Sequence, residues 1–197
     1  MRVAVRVRPF NRREIQLSTK CVIDMSSTQT VLYSPHDGGG DRGTGGRKAP
    51  KTFAFDNCFW SIDEDDPKFA GQENVFNALG KDVLERAFEG YNACIFAYGQ
   101  TGSGKSYTMM GTFQETGHGI IPRLCNTLFS KISSHHDDEG LAYKVEVSYM
   151  EIYNEKVHDL LDPKGYVCLH VNEWCVGKAT LEILFVWHCR PTLSAGG

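Results

Sequence analysis

Residues 99–106 read Gly-Gln-Thr-Gly-Ser-Gly-Lys-Ser and fit the pattern G-x-x-x-x-G-K-[ST]. Each part of that pattern has a chemical reason. The glycines let the backbone fold tightly, so that successive N–H groups point inward at phosphate oxygens. Lys105 supplies a cation for the β- and γ-phosphates, and the Ser106 hydroxyl is a ligand for Mg²⁺. Gly99, Gln100, Thr101, Gly102, Ser103, Gly104, Lys105 and Ser106 are therefore the candidate cradle for a nucleoside triphosphate. In a chain of this length the pattern arises by chance on the order of 1% of the time.

Such a cradle needs a strand before it and a helix after it. Ala93-Cys94-Ile95-Phe96-Ala97-Tyr98 is a short, nearly continuous apolar run, which predicts a parallel strand buried on both faces. A helix is expected to follow, adding its N-terminal dipole to the site. Upstream, Val75, Phe76, Leu79, Val83, Leu84, Ala87 and Phe88 recur three or four apart and predict a helix over 72–89, with Gly90 at its C-terminal end. Downstream, Ile120, Ile121, Leu124, Leu128, Phe129 and Ile132 form a second helical stripe.

Strand alternation appears at 2–8, where Val3, Val5 and Val7 alternate with Ala4, Arg6 and Arg8 until Pro9 removes a ladder donor. Residues 28–33 and 51–55 are weaker strand candidates, and alternation returns at Tyr143, Val145, Val147 and Tyr149. The glycine-rich stretch 38–46 cannot pack a core and reads as a surface loop; it is not a phosphate cradle, since no Lys-Ser or Lys-Thr directly follows the glycines and no apolar strand precedes them. His135 and His136 lie beside acids, a pattern that reads as a solvated loop rather than a metal site.

The 197 residues are 41% hydrophobic and 23% charged, enough for one globular domain or a large piece of one. A net charge of -3 gives no overall basic field for nucleic acid or a membrane surface. Arg2, Arg6, Arg8, Arg12 and Arg13 are a local exception, read equally as a solvated edge or as a cationic rim around a phosphate site. The seven cysteines are odd in number and widely spread, with no secretory h-region before them, so a reducing, cytosolic setting is expected. No apolar run reaches the roughly 20 residues that span a bilayer.

The flanks of the cradle name a family. Tyr98 through Gly111 (YGQTGSGKSYTMMG) resembles the kinesin P-loop, and three further segments agree in order and spacing. These are Arg6-Val7-Arg8-Pro9, Phe53-Ala54-Phe55-Asp56-Asn57-Cys58-Phe59, and the stretch from Ser148 to Asp162. The details look closest to the third kinesin subfamily, the long-range vesicle transporters. The resemblance implies an α/β P-loop NTPase fold of kinesin-motor type, with a mixed central sheet flanked by helices. It implies ATP with Mg²⁺ as cofactors, microtubules as partner, and a cytoplasmic, cytoskeletal location. By position, Arg6, Arg8 and Pro9 would line the adenine pocket with Tyr107 against the base, and Gly99 to Ser106 would hold the phosphates. In the family the P-loop strand lies between two strands that come late in the chain.

The sequence also departs from the family. Neither the Ser-Ser-Arg-Ser-His of the first switch nor the Asp-Leu-Ala-Gly-Ser-Glu of the second occurs. The apolar run 181–187 ends in His188-Cys189 and offers no metal-fixing aspartate. From Tyr166 onward the likeness stops, so the chain divides into 1–165, the N-terminal part of a motor domain, and a divergent tail, 166–197, expected to be an alternative or out-of-frame end. Cys168, His170, Cys175, His188 and Cys189 match no zinc-ligand spacing and read as a chance collection. Two functions follow: a kinesin-type motor domain of which the nucleotide-cradling half is present, or a non-motor product that at most binds nucleotide or a partner. The first names no catalytic base, and turnover is in doubt without the switches. Microtubule binding by this net-acidic chain is expected to be weak, and poor stability is expected too.

Overall fold

A computed structural model describes residues 1–34, 49–134, 144–153, 156–161 and 180–188. The loops expected at 38–46 and 135–140, and the cysteine- and histidine-bearing stretch 166–179, lie outside the described residues. The chain divides into two compact units, Met1–Leu84 with Cys94–Leu128, and Glu85–Ala93 with Phe129–Gly197.

In the first unit the alternating valines form strand β1 (Ala4–Val7), which pairs in parallel with β5 (Asn57–Trp60) in the register Ala4–Asn57 to Val7–Trp60. Pro9 ends β1. Asn11 then starts a short helix, α1 (Arg12–Gln16), through a capping box in which Asn11 and Glu14 bond each other's backbone N–H. Strands β2 (Ile23–Met25), β3 (Gln29–Leu32) and β4 (Lys51–Ala54) form an antiparallel three-stranded sheet. The helical stripe at 72–89 appears as α2 (Gln72–Val75), a π-helical stretch Phe76–Gly80 and α3 (Lys81–Phe88). Gly80 ends that stretch where a Cβ would collide with the Phe76 ring. After the cradle come α4 (Lys105–Met109) and, beyond a 3₁₀ turn at Glu115–Gly117, α5 (Ile120–Ser134). Phe59, Val75 and Ile120 are the buried centre, with Ala4, Leu79, Met109 and Leu124 packed against it. Strand, stripe helix and post-cradle helices thus share one apolar contact.

The second unit holds β6 (Lys144–Tyr153), paired antiparallel with β7 (Lys156–Asp159) and parallel with β8 (Thr180–His188). The α/β class holds, with parallel and antiparallel pairing, among the described residues, in sheets of two, three and three strands.

The segment 93–98 corrects the expectation of a buried strand. Among the described residues it has no strand partner, and only Ile95 reaches the core. Phe96 is 77% and Tyr98 96% exposed. A buried parallel strand requires neighbours that saturate both of its backbone edges. The later apolar run, β8, pairs with β6 over the whole register Lys144–Thr180 to Ile152–His188.

This difference should be read directly by hydrogen exchange. Amides of 93–98 are expected to exchange at near-unprotected rates, while those of β5 that bond β1 are protected. Slow exchange across 93–98 in the isolated chain would contradict the arrangement.

Candidate functional site

The loop 99–106 turns on its glycines. Gly99, Gly102 and Gly104 all have positive φ, and the next residue begins α4. At Gly104 (φ 97°) any other L-residue is strained by its own backbone, although the nearest atom to an added Cβ, Arg8 Cβ, is 3.8 Å away. At Gly99 an added Cβ would lie 2.5 Å from Ser103 Oγ, so that glycine is required for space as well. The turn is closed by the Ser103 N–H donating to Gln100 O at 3.1 Å and by the Thr108 N–H donating to Gly104 O at 2.9 Å. The N–H groups of Gly102, Gly104, Lys105 and Ser106 have no acceptor among the described residues. They are adjacent donors on one tight turn, the arrangement that receives an anion.

Lys105 Nζ donates to the carbonyls of Gly99 (2.8 Å) and Gln100 (2.9 Å), so the ammonium is held over the loop's own backbone. α4 spans five residues, so the helix dipole counts for less here than the sequence suggests, and the loop amides and Lys105 carry the field. Among the described residues no group of three or more His, Cys, Asp or Glu is placed to hold a metal.

β1 delivers the arginines beside this loop. Arg8 is next to Gly104, but its guanidinium forms a two-pronged pair with Glu14, Nη1 to Oε2 and Nη2 to Oε1 both at 2.8 Å, and also donates to Pro9 O at 2.7 Å. Arg6 has a different set of partners. Its Nε donates to Ser61 Oγ (2.9 Å), and its Nη1 to Gln72 Oε1 (2.7 Å) and Thr108 Oγ1 (3.1 Å). The Tyr107 ring stands with its centroid 5.4 Å from the Arg6 guanidinium. Burial pulls the Arg6 guanidinium below its usual value, and the charge of Tyr107 offsets this in part. The structure thus brings Arg6, Arg8 and Tyr107 to the cradle, while Pro9 is exposed at the end of β1. Of the five-arginine rim weighed from composition, Arg2 pairs with Asp82 at 3.4 Å, and Arg6 and Arg8 are engaged by the partners above.

A scan against protein families matches residues 6–184 to the kinesin motor domain. The chain belongs to the kinesin motor domain family. The family match runs past Gly165, the boundary drawn from the sequence, as far as residue 184. The human kinesin-like protein KIF13A is 61% identical over 166 residues, covering 84% of this chain and 9% of that protein. Human KIF1B is 52% identical over 174 residues, covering 88% of this chain and 9% of the relative. These relatives agree with the resemblance to the third kinesin subfamily. Among solved structures, KIF14[391-772], a dimer in a two-heads-bound state with AMP-PNP in complex with a microtubule, aligns at a TM-score of 0.67 and 40% identity. That alignment covers 86% of this chain and 43% of the KIF14 chain. The chain therefore spans about a tenth of the curated kinesins it resembles, as their 9% coverage states.

Two features of the site escaped the sequence reading. The Asn11–Glu14 capping box is visible in principle as Asn-x-x-Glu after Pro9 and Phe10, and it is what turns Glu14 toward Arg8. Gln72, the second, stands at the start of a helical stripe, where its type signals only a polar end.

Glu14 provides a test of the rim. The Arg8 hydrogen bonds, aided by the Asn11 N–H, hold its carboxyl at about 2 against an ordinary 4.5. A depressed carboxylate stabilises the fold above its unfolded value, and this contribution fades as pH falls from 4.5 to about 2. In a carboxyl-carbon NMR titration the Arg8→Met chain should show Glu14 titrating distinctly higher than in the wild type. An unchanged midpoint would mean that the pair is absent in solution.

Proposed function

We propose that loop 99–106 binds the polyphosphate of ATP with Mg²⁺, and that the protein to which this chain belongs is an ATP-driven microtubule motor. The observation that carries the first part is the run of unpaired N–H groups at Gly102, Gly104, Lys105 and Ser106 on a turn of positive-φ glycines. Donors so placed suit oxygens that carry full charge and no hydrogens. Lys105 has the reach and charge to exchange a carbonyl of Gly99 or Gln100 for a phosphate oxygen. Ser106 Oγ would hold the Mg²⁺, which would supply neutralisation of phosphate charge. Gln100, Thr101 and Ser103 shape the loop between its glycines.

Arg6, Arg8 and Pro9, with Tyr107, form the adenine side in this reading. The engagement of both guanidinium groups by the protein supports it. An arginine whose donors are satisfied by Glu14, or by Gln72, Ser61 and Thr108, serves as a wall rather than as a phosphate clamp. The KIF14 structure was solved with AMP-PNP and a microtubule, which supports nucleotide and microtubule as the ligands of the whole protein here. The location that goes with this is cytoplasmic, on the microtubule cytoskeleton. No covalent intermediate is required, because catalysis of this class is positioning and electrostatics around the γ-phosphate.

Equilibrium titration of the 197-residue chain with fluorescent ADP in Mg²⁺ should show saturable binding, weakened at least tenfold by Lys105→Ala in folded protein. Indifference to millimolar ATP and ADP, with Lys105→Ala changing nothing, would refute the reading. Co-sedimentation with microtubules at physiological salt should be weak for this net-acidic chain, and submicromolar binding would refute that part alone.

A further inference from the structure

Gln72 is 5% exposed and is placed among groups that only a primary amide satisfies together. Its Oε1 accepts from Arg6 Nη1 at 2.7 Å, while its Nε2 donates to Tyr107 O at 2.6 Å and to Gly117 O at 3.2 Å. The Tyr107 carbonyl belongs to the last turn of α4, where helix carbonyls lack ladder partners. The Gly111 N–H, its ladder donor by position, instead joins that of Met110 on Ser106 O, at 3.2 and 2.8 Å. The Gln72 amide is thus the side-chain cap of the helix that carries Lys105 and Ser106 on its first turn. Arg6 adds a second hold on that helix through Thr108 Oγ1 at 3.1 Å, and is itself anchored by Ser61 Oγ, which donates to Ala70 O at 2.6 Å.

A helix of five residues has little cooperative stiffness of its own. Its pitch and rotation are fixed by what holds its ends. The loop holds the N-terminal end, and Gln72 holds the other, joining it to Gly117 beyond the following turn. We propose that Gln72 is a positioning residue for the polyphosphate cradle, acting through the Tyr107 carbonyl to set where Lys105 and Ser106 stand. This rests on the nucleotide-binding reading above and adds to it a residue that touches no ligand. Removal of the amide takes the Tyr107 carbonyl's side-chain donor away, while Gly117 O keeps the Thr112 N–H at 2.9 Å and Arg6 Nη1 keeps Thr108 Oγ1 at 3.1 Å. The helix can then rotate to find another donor, and Lys105 moves with it.

Gln72→Met keeps the length and packing of the side chain and removes every hydrogen bond. Ser61→Ala loosens the far end of the same network with little change in volume. The probes are ADP and AMP with Mg²⁺, each competing against fluorescent ADP, at a temperature where melting curves show each variant folded. The quantity read is the ratio of the two affinities, because the second phosphate reports on Lys105 and Ser106 while the base side is common. Gln72→Met should lower the ADP preference about tenfold, and Ser61→Ala in the same direction by about threefold. A merely structural role would lower the melting temperature and leave the ratio unchanged, and that result in either folded variant overturns the proposal. If Gln72→Met does not fold, the Ser61→Ala ratio decides. A wild-type chain with no preference for ADP refutes the nucleotide reading itself, and this inference falls with it.

Discussion

A guanidinium taken out of water must meet acceptors, and Arg6 meets three, on Ser61, Gln72 and Thr108. Those acceptors lie just past β5, at the start of α2 and in α4. Their geometry can be satisfied together only if the three elements stand where they do. The parallel register Arg6–Phe59 sets the height of the charge on the sheet, and Phe59 packs with Val75 and Ile120 beneath it. Apolar burial brings these elements together without specifying how they are turned. The directed bonds of one half-buried cation contribute to the turn.

The same logic separates the two arginines of β1. Side chains on a strand alternate in direction, but Arg6 and Arg8 are two apart and leave on the same face. They meet different fates because the strand ends between them, at Val7. Arg6 is still inside the sheet and is drawn into the interior network. Arg8 is past it, beside Gly104, where the capping box of α1 presents Glu14. The cradle thus has a neutralised cation on its flank and one ammonium, Lys105, directly over its turn.

Much of this was legible in the sequence, and the parts that were not share a cause. The cradle was legible because glycine spacing and Lys-Ser report on a local backbone shape. The stripes of α3 and α5 were legible because an apolar face is a property of one segment. The alternation of Val3, Val5 and Val7 gave β1 for the same reason. What could not be read were properties of pairs distant in the chain. Gln72 looks like any polar residue at a helix start until Tyr107 and Arg6 stand beside it. The run 93–98 has the composition of a buried strand, yet strand formation depends on a partner's backbone, which no property of those six residues supplies. β8 has similar composition and does find a partner, in β6.

The exposed run before the cradle raises the question of what keeps the turn in shape. A buried strand would fix the entry to Gly99, and here Ile95 is the contact that ties the run to the core. The order must then come from the loop itself and from its far side. Within the loop, Lys105 Nζ spans two carbonyls and the Ser103 N–H closes on Gln100 O. From the far side, α4 is held by Met109 in the core and by Gln72 at its last turn. Both sets of constraints act on residues 99 and beyond, and neither passes through Phe96 or Tyr98. The turn can therefore keep its N–H groups converged while the segment leading into it lies open, because its geometry is specified from the C-terminal side.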